Sequence, residues 1–426
     1  MLERAVLERA VIVTSGLLIP PGPKPGLRRV QRHIITPEYP PQPGGVSDYT
    51  AQVAGGLAQA GEEVHVWCPR SHATSLPGQV QIHGELGGVE ERDLRAMGEQ
   101  LDRFPAPRRI LVQWVPHGYG RRSLNVPFCL WLSRRASRHG DILEIMVHEA
   151  FLNFEGSWRQ YGAAAIHRLM AVILLRNATR VWVSIPECER RMKPYALGRK
   201  VPFQWLPIPS NIGVAPGGIA PEGMARDAAA TGDLRRRYSP QGGLLVGHFG
   251  TFGAPLVSVL DPILLHMADE IPGQPLLLMG VGSREFRKRV IEQYPGWENN
   301  LYATGPLAPE DLSAHIAACD LLIQPYPDGA TTRRTSLMAG LSHGKAILTT
   351  SSKVTEPLWE RSAAVSLTPA GDAAAFVQRL HELLQNPAER GRMSRAARRL
   401  YQERFDIFHT VEALRMSAAE TIVCAS

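Results

Sequence analysis

The 426-residue sequence predicts an α/β fold class: two Rossmann-like, doubly wound domains whose parallel sheets face each other across a cleft. Three observations predict it. Short apolar runs alternate with helix-length segments along almost the whole chain, which is the pattern of repeated βαβ units. A stretch rich in Pro, Gly and Ala, "FQWLPIPSNIGVAPGGIAPEGMARDAAATG", interrupts that alternation once near the middle. The length also exceeds the roughly 250 residues that one hydrophobic core usually supports.

Taken in order, residues 1–28 read as an irregular extension, since the prolines and glycines between positions 20 and 26 break any helix before the fold begins. The first domain, 29–212, opens with the strand "RVQRHIIT", followed by the helix "SDYTAQVAGGLAQAG" with Ser47 placed as its N-cap, and then the strand "EVHVWCP". The runs "RRILVQWVP", "ILEIMVHEA" and "ATRVWVSIP" continue the sheet. Residues 213–241 read as a linker. The second domain, 242–408, carries "GLLVGHFGTFG", "PLLLMGVGS", "NNLYATGPL", "CDLLIQPYP", "KAILTTS" and "AAVSL" as strands, and then helices that begin at Asp372, an N-cap. A last helix, 409–426, is expected to cross back to the first domain.

Composition narrows the class. An apolar share of 44% and a charged share of 20% fit a packed globular protein and exclude disordered or fibrous chains. The net charge of +7 suits acidic small molecules, a membrane surface or nucleic acid alike. The five cysteines are scattered, without Cys-x-x-Cys pairs, so neither a disulfide framework nor a structural zinc is expected and a cytoplasmic setting fits. No apolar run approaches the ~18 residues that span a bilayer. The basic stretch 390–404 lacks aromatic platforms and nucleic-acid motifs; it reads as a solvated helix face, with peripheral membrane contact as the second reading and no nucleic acid as partner.

Four places carry candidate chemistry. Gly44 and Gly45 precede the first helix, where free backbone N–H groups let a phosphate or a sugar approach closely. "GHFGTFG", with Gly250 and Thr251, repeats a glycine-spaced loop after a strand. It lacks the Gly-Lys-Ser/Thr ending of a P-loop, and no acid follows for a ribose, which counts against nucleotide hydrolases and nicotinamide dehydrogenases. "QPYPDGATTRRTSLMAGLSHGKAILTT" places Arg333, Arg334, Thr335 and Ser336 between a glycine loop and an apolar helix, which makes an anion site of cations, hydroxyls and helix N–H groups. His148 ends a strand run where a side chain reaches the crevice of a doubly wound fold, and His117 has a similar claim; either imidazole can hydrogen-bond or move a proton. No spacing of His, Cys, Asp or Glu suggests a metal.

In their order, these motifs resemble the GT-B glycosyltransferases, in particular the large family 4 (glycosyl transferases group 1) of retaining, nucleotide-sugar-dependent enzymes. The resemblance rests on "TPEYPPQPGGVSDYTAQVAGGLAQAGEEVHVW", "MVHEA", "LLLMGVGS", "LYATGPLAPEDLSAHIAACDLLIQPY" and "LSHGKAILTT", over about 29 to 410. It implies that Gly45 lies against the donor diphosphate or the acceptor, that His148 is the catalytic residue touching the transferred sugar, and that Glu38, Asp48, Tyr49 and His117 lie on the acceptor side. Gly250, Thr251 and Gly280 would belong to the donor side. Two departures stand out. The family's Glu-x7-Glu motif falls on Thr331 and Ala339, and the usual diphosphate-clamping Arg and Lys are missing, with His248 near the arginine position. Arg333 and Arg334, with Thr335 and Ser336, are the cations left to hold a diphosphate.

The function this implies is transfer of a sugar from a nucleotide diphosphate sugar, as co-substrate, to an acceptor hydroxyl, with no metal or other cofactor. A nucleotide-sugar epimerase of the same fold and a non-catalytic nucleotide-sugar-binding protein are the alternatives.

Overall fold

The computed structural model describes residues 31–69, 80–120, 124–214 and 221–423; the extension expected at 1–28 lies outside the described residues. The chain forms two compact units. One runs to Ile208 and takes back the chain from Ile407, and the other is Pro209–Asp406.

Among the described residues the first unit holds seven strands: β1 Gln31–Ile35, β2 Glu63–Trp67, β3 Val80–His83, β4 Arg109–Trp114, β5 Ile142–Val147, β6 Arg180–Val183 and β7 Phe203–Trp205. Their order is 3-2-1-4-5-6-7, and every pair is parallel. The sequence reading missed β3 and β7. Both are short edge strands with exposed polar positions, so neither shows the continuous apolar run of a strand buried on two faces. Alternation sends Ile34, Leu111 and Val66 to one face with Val53 and Leu57 of the helix Gly45–Gln59, and Ile35, Val112 and Trp114 to the other with Phe128, Leu132, Met170 and Leu174.

The second unit has six strands: β8 Val246–Phe249, β9 Leu276–Met279, β10 Leu301–Ala303, β11 Leu321–Gln324, β12 Ala346–Ser351 and β13 Ser366–Pro369, in the order 10-9-8-11-12-13, again all parallel. Val246, Leu278, Ile323 and Leu348 pack on Leu260, Ile263 and Phe376, while Leu277, Leu322 and Ile347 pack on Ile316, Leu337 and Ala397. The stretch 213–241, expected as a linker, instead carries the helix Pro221–Tyr238, which packs on the helix Pro309–Ala318 and sends Tyr238 into the core. Its alanines read as linker composition but are also the best helix formers. The basic helix Pro387–Arg404 buries Met393, Ala397, Leu400 and Tyr401 and leaves Arg392, Arg395, Arg398 and Arg399 exposed, which is the solvated face its sequence suggested.

The helix Ile407–Val423 is built into the first unit. A Cβ at Gly56 would stand 2.6 Å from Val411 Cγ2, so only glycine lets this helix lie so close. Beneath it, Arg32 donates through Nη2 to the Leu414 carbonyl at 3.1 Å and through Nε to Glu62 at 2.9 Å. Glu144 lies 3.5 Å from Arg32 Nη1, accepts from Arg109 Nη2 at 2.7 Å and receives Trp182 Nε1 at 3.3 Å. All four charged residues are buried.

Removing one member of such a network leaves the opposite charges stranded. Glu144→Ala is therefore expected to lower unfolding free energy by about 3–5 kcal/mol, read from urea denaturation.

Three histidines share the other part of this sheet. His33 and His65 are register partners with stacked rings 5.0 Å apart, His65 Nδ1 meets His83 Nε2 at 3.1 Å, and Trp67 Nε1 donates to His33 Nδ1 at 3.2 Å. Burial, and then the neighbouring His65, His83, Arg108 and Arg135, push His33 down to about 3. Burial is also the main reason His65 and His83 titrate below the ordinary range. Each is thus neutral when folded and takes up its proton near pH 6.5 when unfolded, so the stability it confers is complete above about 6.5 and is lost as pH falls below that. Unfolding free energies measured from pH 7.5 down to 5 are expected to hold above about 6.5 and to fall below it, His33 alone contributing a slope on the order of 1 kcal/mol per pH unit.

Candidate active site

In the first unit the candidate residues gather where β1, β4 and β5 end. His148 follows β5 directly, its backbone N–H donating to the Trp114 carbonyl at 3.0 Å. Its ring is 9% exposed and meets the edge of Tyr49 at 5.0 Å, and its Nε2 lies 2.8 Å from Gln113 Oε1. With Oε1 accepting, the proton sits on Nε2 and Nδ1 keeps its lone pair. Burial pushes this histidine down to about 3, so it is neutral at physiological pH and a weak base. That corrects half of the sequence reading: the imidazole can orient a hydroxyl by hydrogen bonding, but it is not tuned to move a proton. Gln113 was missed, although a polar residue inside the apolar run "ILVQW" is the signal for it. Tyr119, also missed, joins the same strand ends by donating to the carbonyls of Gln113 at 2.7 Å and Ile35 at 3.2 Å.

The glycine entry to the first helix is organised by Glu38. Its Oε1 accepts from the backbone N–H groups of Val46 and Ser47, both at 3.0 Å. Glu38, not Ser47, caps the helix; Ser47 is buried and donates its hydroxyl to the Gln42 carbonyl at 2.7 Å, with Gly44 as N-cap residue. A carboxylate from eight residues upstream does what a local hydroxyl was expected to do, and it occupies the N–H groups that the sequence reading offered to a phosphate. The two glycines differ. A Cβ at Gly44 would come 2.3 Å from Glu38 Oε1, whereas one at Gly45 would meet nothing within 4 Å. Asp48 is half-buried in the first turn, and Tyr49, expected on the acceptor side, is 2% exposed and packs in the core with its ring edge against His148. His117 is half exposed and pairs with Glu149 at 3.4 Å.

In the second unit the loops after β8 and β9 are stitched together by their backbones. Gly250 N–H donates to the Met279 carbonyl at 3.1 Å and Phe252 N–H to Val281 at 3.0 Å. Gly280 has φ +116, and a Cβ there would lie 2.2 Å from the Gly250 carbonyl oxygen. Gly250 and Gly280 therefore serve this close approach first, while Thr251 is exposed on the loop. His248, near the expected arginine position, is buried, with Nδ1 2.8 Å from the Ile323 carbonyl; burial pushes it down to about 4, so it adds no cation.

Arg333 and Arg334 lie immediately before the helix Thr335–Ser342, with Arg334 as its N-cap residue. Both are less than one-third exposed. Asp328 receives them together: Arg333 Nη2 donates to Oδ2 at 3.0 Å, and Arg334 Nη2 to Oδ1. Arg334 also covers the Tyr326 ring at 4.7 Å, and the Tyr326 hydroxyl is 2.8 Å from Ser336 Oγ. Thr335 stands in the first turn of the helix. The approach to these arginines is held by Glu356, which accepts from Thr332 N–H at 3.0 Å, Thr332 Oγ1 at 2.7 Å and Trp359 Nε1 at 2.7 Å. Thr331 and Ala339, where the two family carboxylates were counted, are fully buried. Asp328 and Tyr326 were missed, although Asp328 is the sole acid in the stretch quoted around the arginines.

Residues 250–386 match the family described as glycosyl transferases group 1. A phosphatidyl-myo-inositol mannosyltransferase of Mycolicibacterium smegmatis is 23% identical over 392 residues, covering 89% of this chain and 91% of that protein. This chain is a GT-B-fold glycosyltransferase. Among solved structures, a sucrose-phosphate synthase from Thermosynechococcus elongatus superposes on the glycosyltransferase with a TM-score of 0.68 at 15% identity, covering 93% of this chain and all of the other. Anabaena HepE in complex with UDP and glucose gives 0.66 at 14%, covering 92% and 100%. No helix among the described residues is long and apolar enough to cross a membrane.

The contrast between the paired glycines gives a test. Gly44→Ala is expected to lose the Glu38 cap and about 0.5–2 kcal/mol of stability, while Gly45→Ala is expected to melt like the wild type. Thermal melts of the two variants check this, and a loss of activity in Gly45→Ala without a loss of stability marks Gly45 as a substrate contact.

Proposed function

We propose that this glycosyltransferase takes its sugar from a nucleotide diphosphate sugar, held by the unit Pro209–Asp406, and passes it to an acceptor hydroxyl served by the first unit. The observation that carries the reading is the pair Arg333 and Arg334, whose guanidinium groups meet on one carboxylate, that of Asp328, beside the first turn of the helix Thr335–Ser342. Negative charge develops on the leaving diphosphate as the glycosidic bond breaks, and these donors are suited to meet it. The complexes of HepE with UDP and with UDP-glucose support a uridine donor as the first to try. The name of the mycobacterial relative makes a polyol headgroup the first acceptor to try.

Retention of configuration belongs to the same reading. The bond from the anomeric carbon to the diphosphate oxygen breaks, a bond to the acceptor oxygen forms, and the acceptor's proton must leave. His148 is too weak a base to take it. Retention, which the resemblance to the family implies, needs attack from the face the diphosphate leaves, where the departing diphosphate oxygen can take that proton. His148 Nδ1 would accept a hydrogen bond from a sugar hydroxyl and orient it. NMR of the product made from a donor of known anomeric form checks the stereochemistry.

A thermal-shift panel of nucleotide diphosphate sugars is expected to single out one donor. Against that donor, Arg333→Ala and Arg334→Ala are each expected to raise Kd by about tenfold or more, the loss of a charge-assisted hydrogen bond. Unchanged donor affinity and turnover in both variants would sink the assignment.

A further inference from the structure

We infer that Asp328 is a built-in anion with which the donor's diphosphate competes: it keeps Arg333 and Arg334 paired before donor arrives and weakens their hold on the nucleoside diphosphate product. This rests on the diphosphate site proposed above. The two oxygens of one carboxylate take one guanidinium each, an arrangement in which a phosphate would use two of its own oxygens. The backbone beneath is fixed. Ser352 Oγ donates to the Asp328 carbonyl at 2.6 Å, and Ala330 N–H to the Thr350 carbonyl at 2.7 Å. Gly329 has φ +78, and a Cβ there would come 2.5 Å from Thr355 Oγ1 and 2.7 Å from Ser352 N.

The charges decide what this does. Two guanidinium groups and one carboxylate leave one positive charge, where the arginines alone would present two. The three side chains are 30%, 28% and 39% exposed, so an incoming anion can reach them. Arg334 Nε–H is buried without an acceptor and is free to bind an oxygen that Asp328 does not supply. A diphosphate entering here gains both arginines but lies beside a carboxylate, and like charges in contact repel. Asp328 is thus a positioning residue with a cost in affinity, and that cost helps product leave, a step that limits many transferases.

The test is calorimetric binding of inorganic pyrophosphate, which carries neither sugar nor base, to the full-length protein. Asp328→Asn is expected to bind it at least about fivefold more tightly than wild type, with a steeper loss of affinity on adding salt, and Asp328→Glu to stay within about twofold. In turnover, Asp328→Asn should show stronger inhibition by nucleoside diphosphate and a lower kcat with unchanged or lower KM. Equal or weaker pyrophosphate binding by Asp328→Asn overturns the inference; if Arg333→Ala weakens binding in the same series, the diphosphate assignment still stands. If Arg333→Ala and Arg334→Ala both bind pyrophosphate like wild type, the assignment itself falls and this inference with it. Should Asp328→Asn fail to fold, Asp328→Ser is held to the same criterion.

Discussion

A parallel sheet covered on both faces has nowhere to put a charge except near the ends of its strands, and much of the chemistry of this protein follows from that constraint. In the first unit the strand starts hold Arg32, Glu62, Arg109 and Glu144, whose ion pairs are buried. The strand finishes hold groups of another kind: a neutral histidine fixed by a glutamine, and a helix start preceded by two glycines. The second unit follows the same polarity. Its glycine loops leave β8 and β9, and its arginines come after β11. Charge that stabilises the fold is sealed in, and charge available to a ligand is left on loops at the finishing ends.

The buried histidines sharpen this division. His148 and His248 both lie at strand ends and both are neutral because burial penalises the imidazolium. Neither can serve as a cation for a diphosphate, and neither is poised near neutral pH as an acid or base. In the proposed reading that burden falls to Arg333 and Arg334, since a guanidinium is a permanent cation. The departures from the family pattern are therefore coherent. The family's arginine and lysine are both absent here, and the pair Arg333 and Arg334 at the start of the helix Thr335–Ser342 is the replacement proposed for them.

The alternation of apolar runs and helical segments was enough to read the fold, because strands buried on both faces have no competing pattern; only the edge strands β3 and β7, half polar and short, escaped it. The helix Pro221–Tyr238 escaped for the opposite reason, since alanine serves linkers and helices equally. At the candidate site, local placement was legible: the glycines before the first helix, His148 at its strand end, and the arginines at a helix start. Partners distant in sequence were not. Gln113 lies 35 residues before His148, and Glu38 caps its helix from eight residues upstream. Burial was equally hidden: nothing in the sequence shows that Tyr49 is enclosed.

Glu38 and Asp328 solve one problem in two ways. Each places a carboxylate where a helix start or an arginine pair would otherwise hold uncompensated positive charge. Glu38 is engaged by two backbone amides at 3.0 Å, and Gly44 leaves just enough room for it; dislodging it would strand two helix N–H groups. It behaves as part of the frame, and an anion gains little by displacing it. Asp328 is bound to two side chains that can rotate, is more than one-third exposed, and leaves Arg334 Nε–H without an acceptor. An anion arriving there finds donors still to be satisfied and a competitor that can yield. That difference supports proposing the arginine loop, and not the glycine loop with its own carboxylate in place, as the phosphate-binding side.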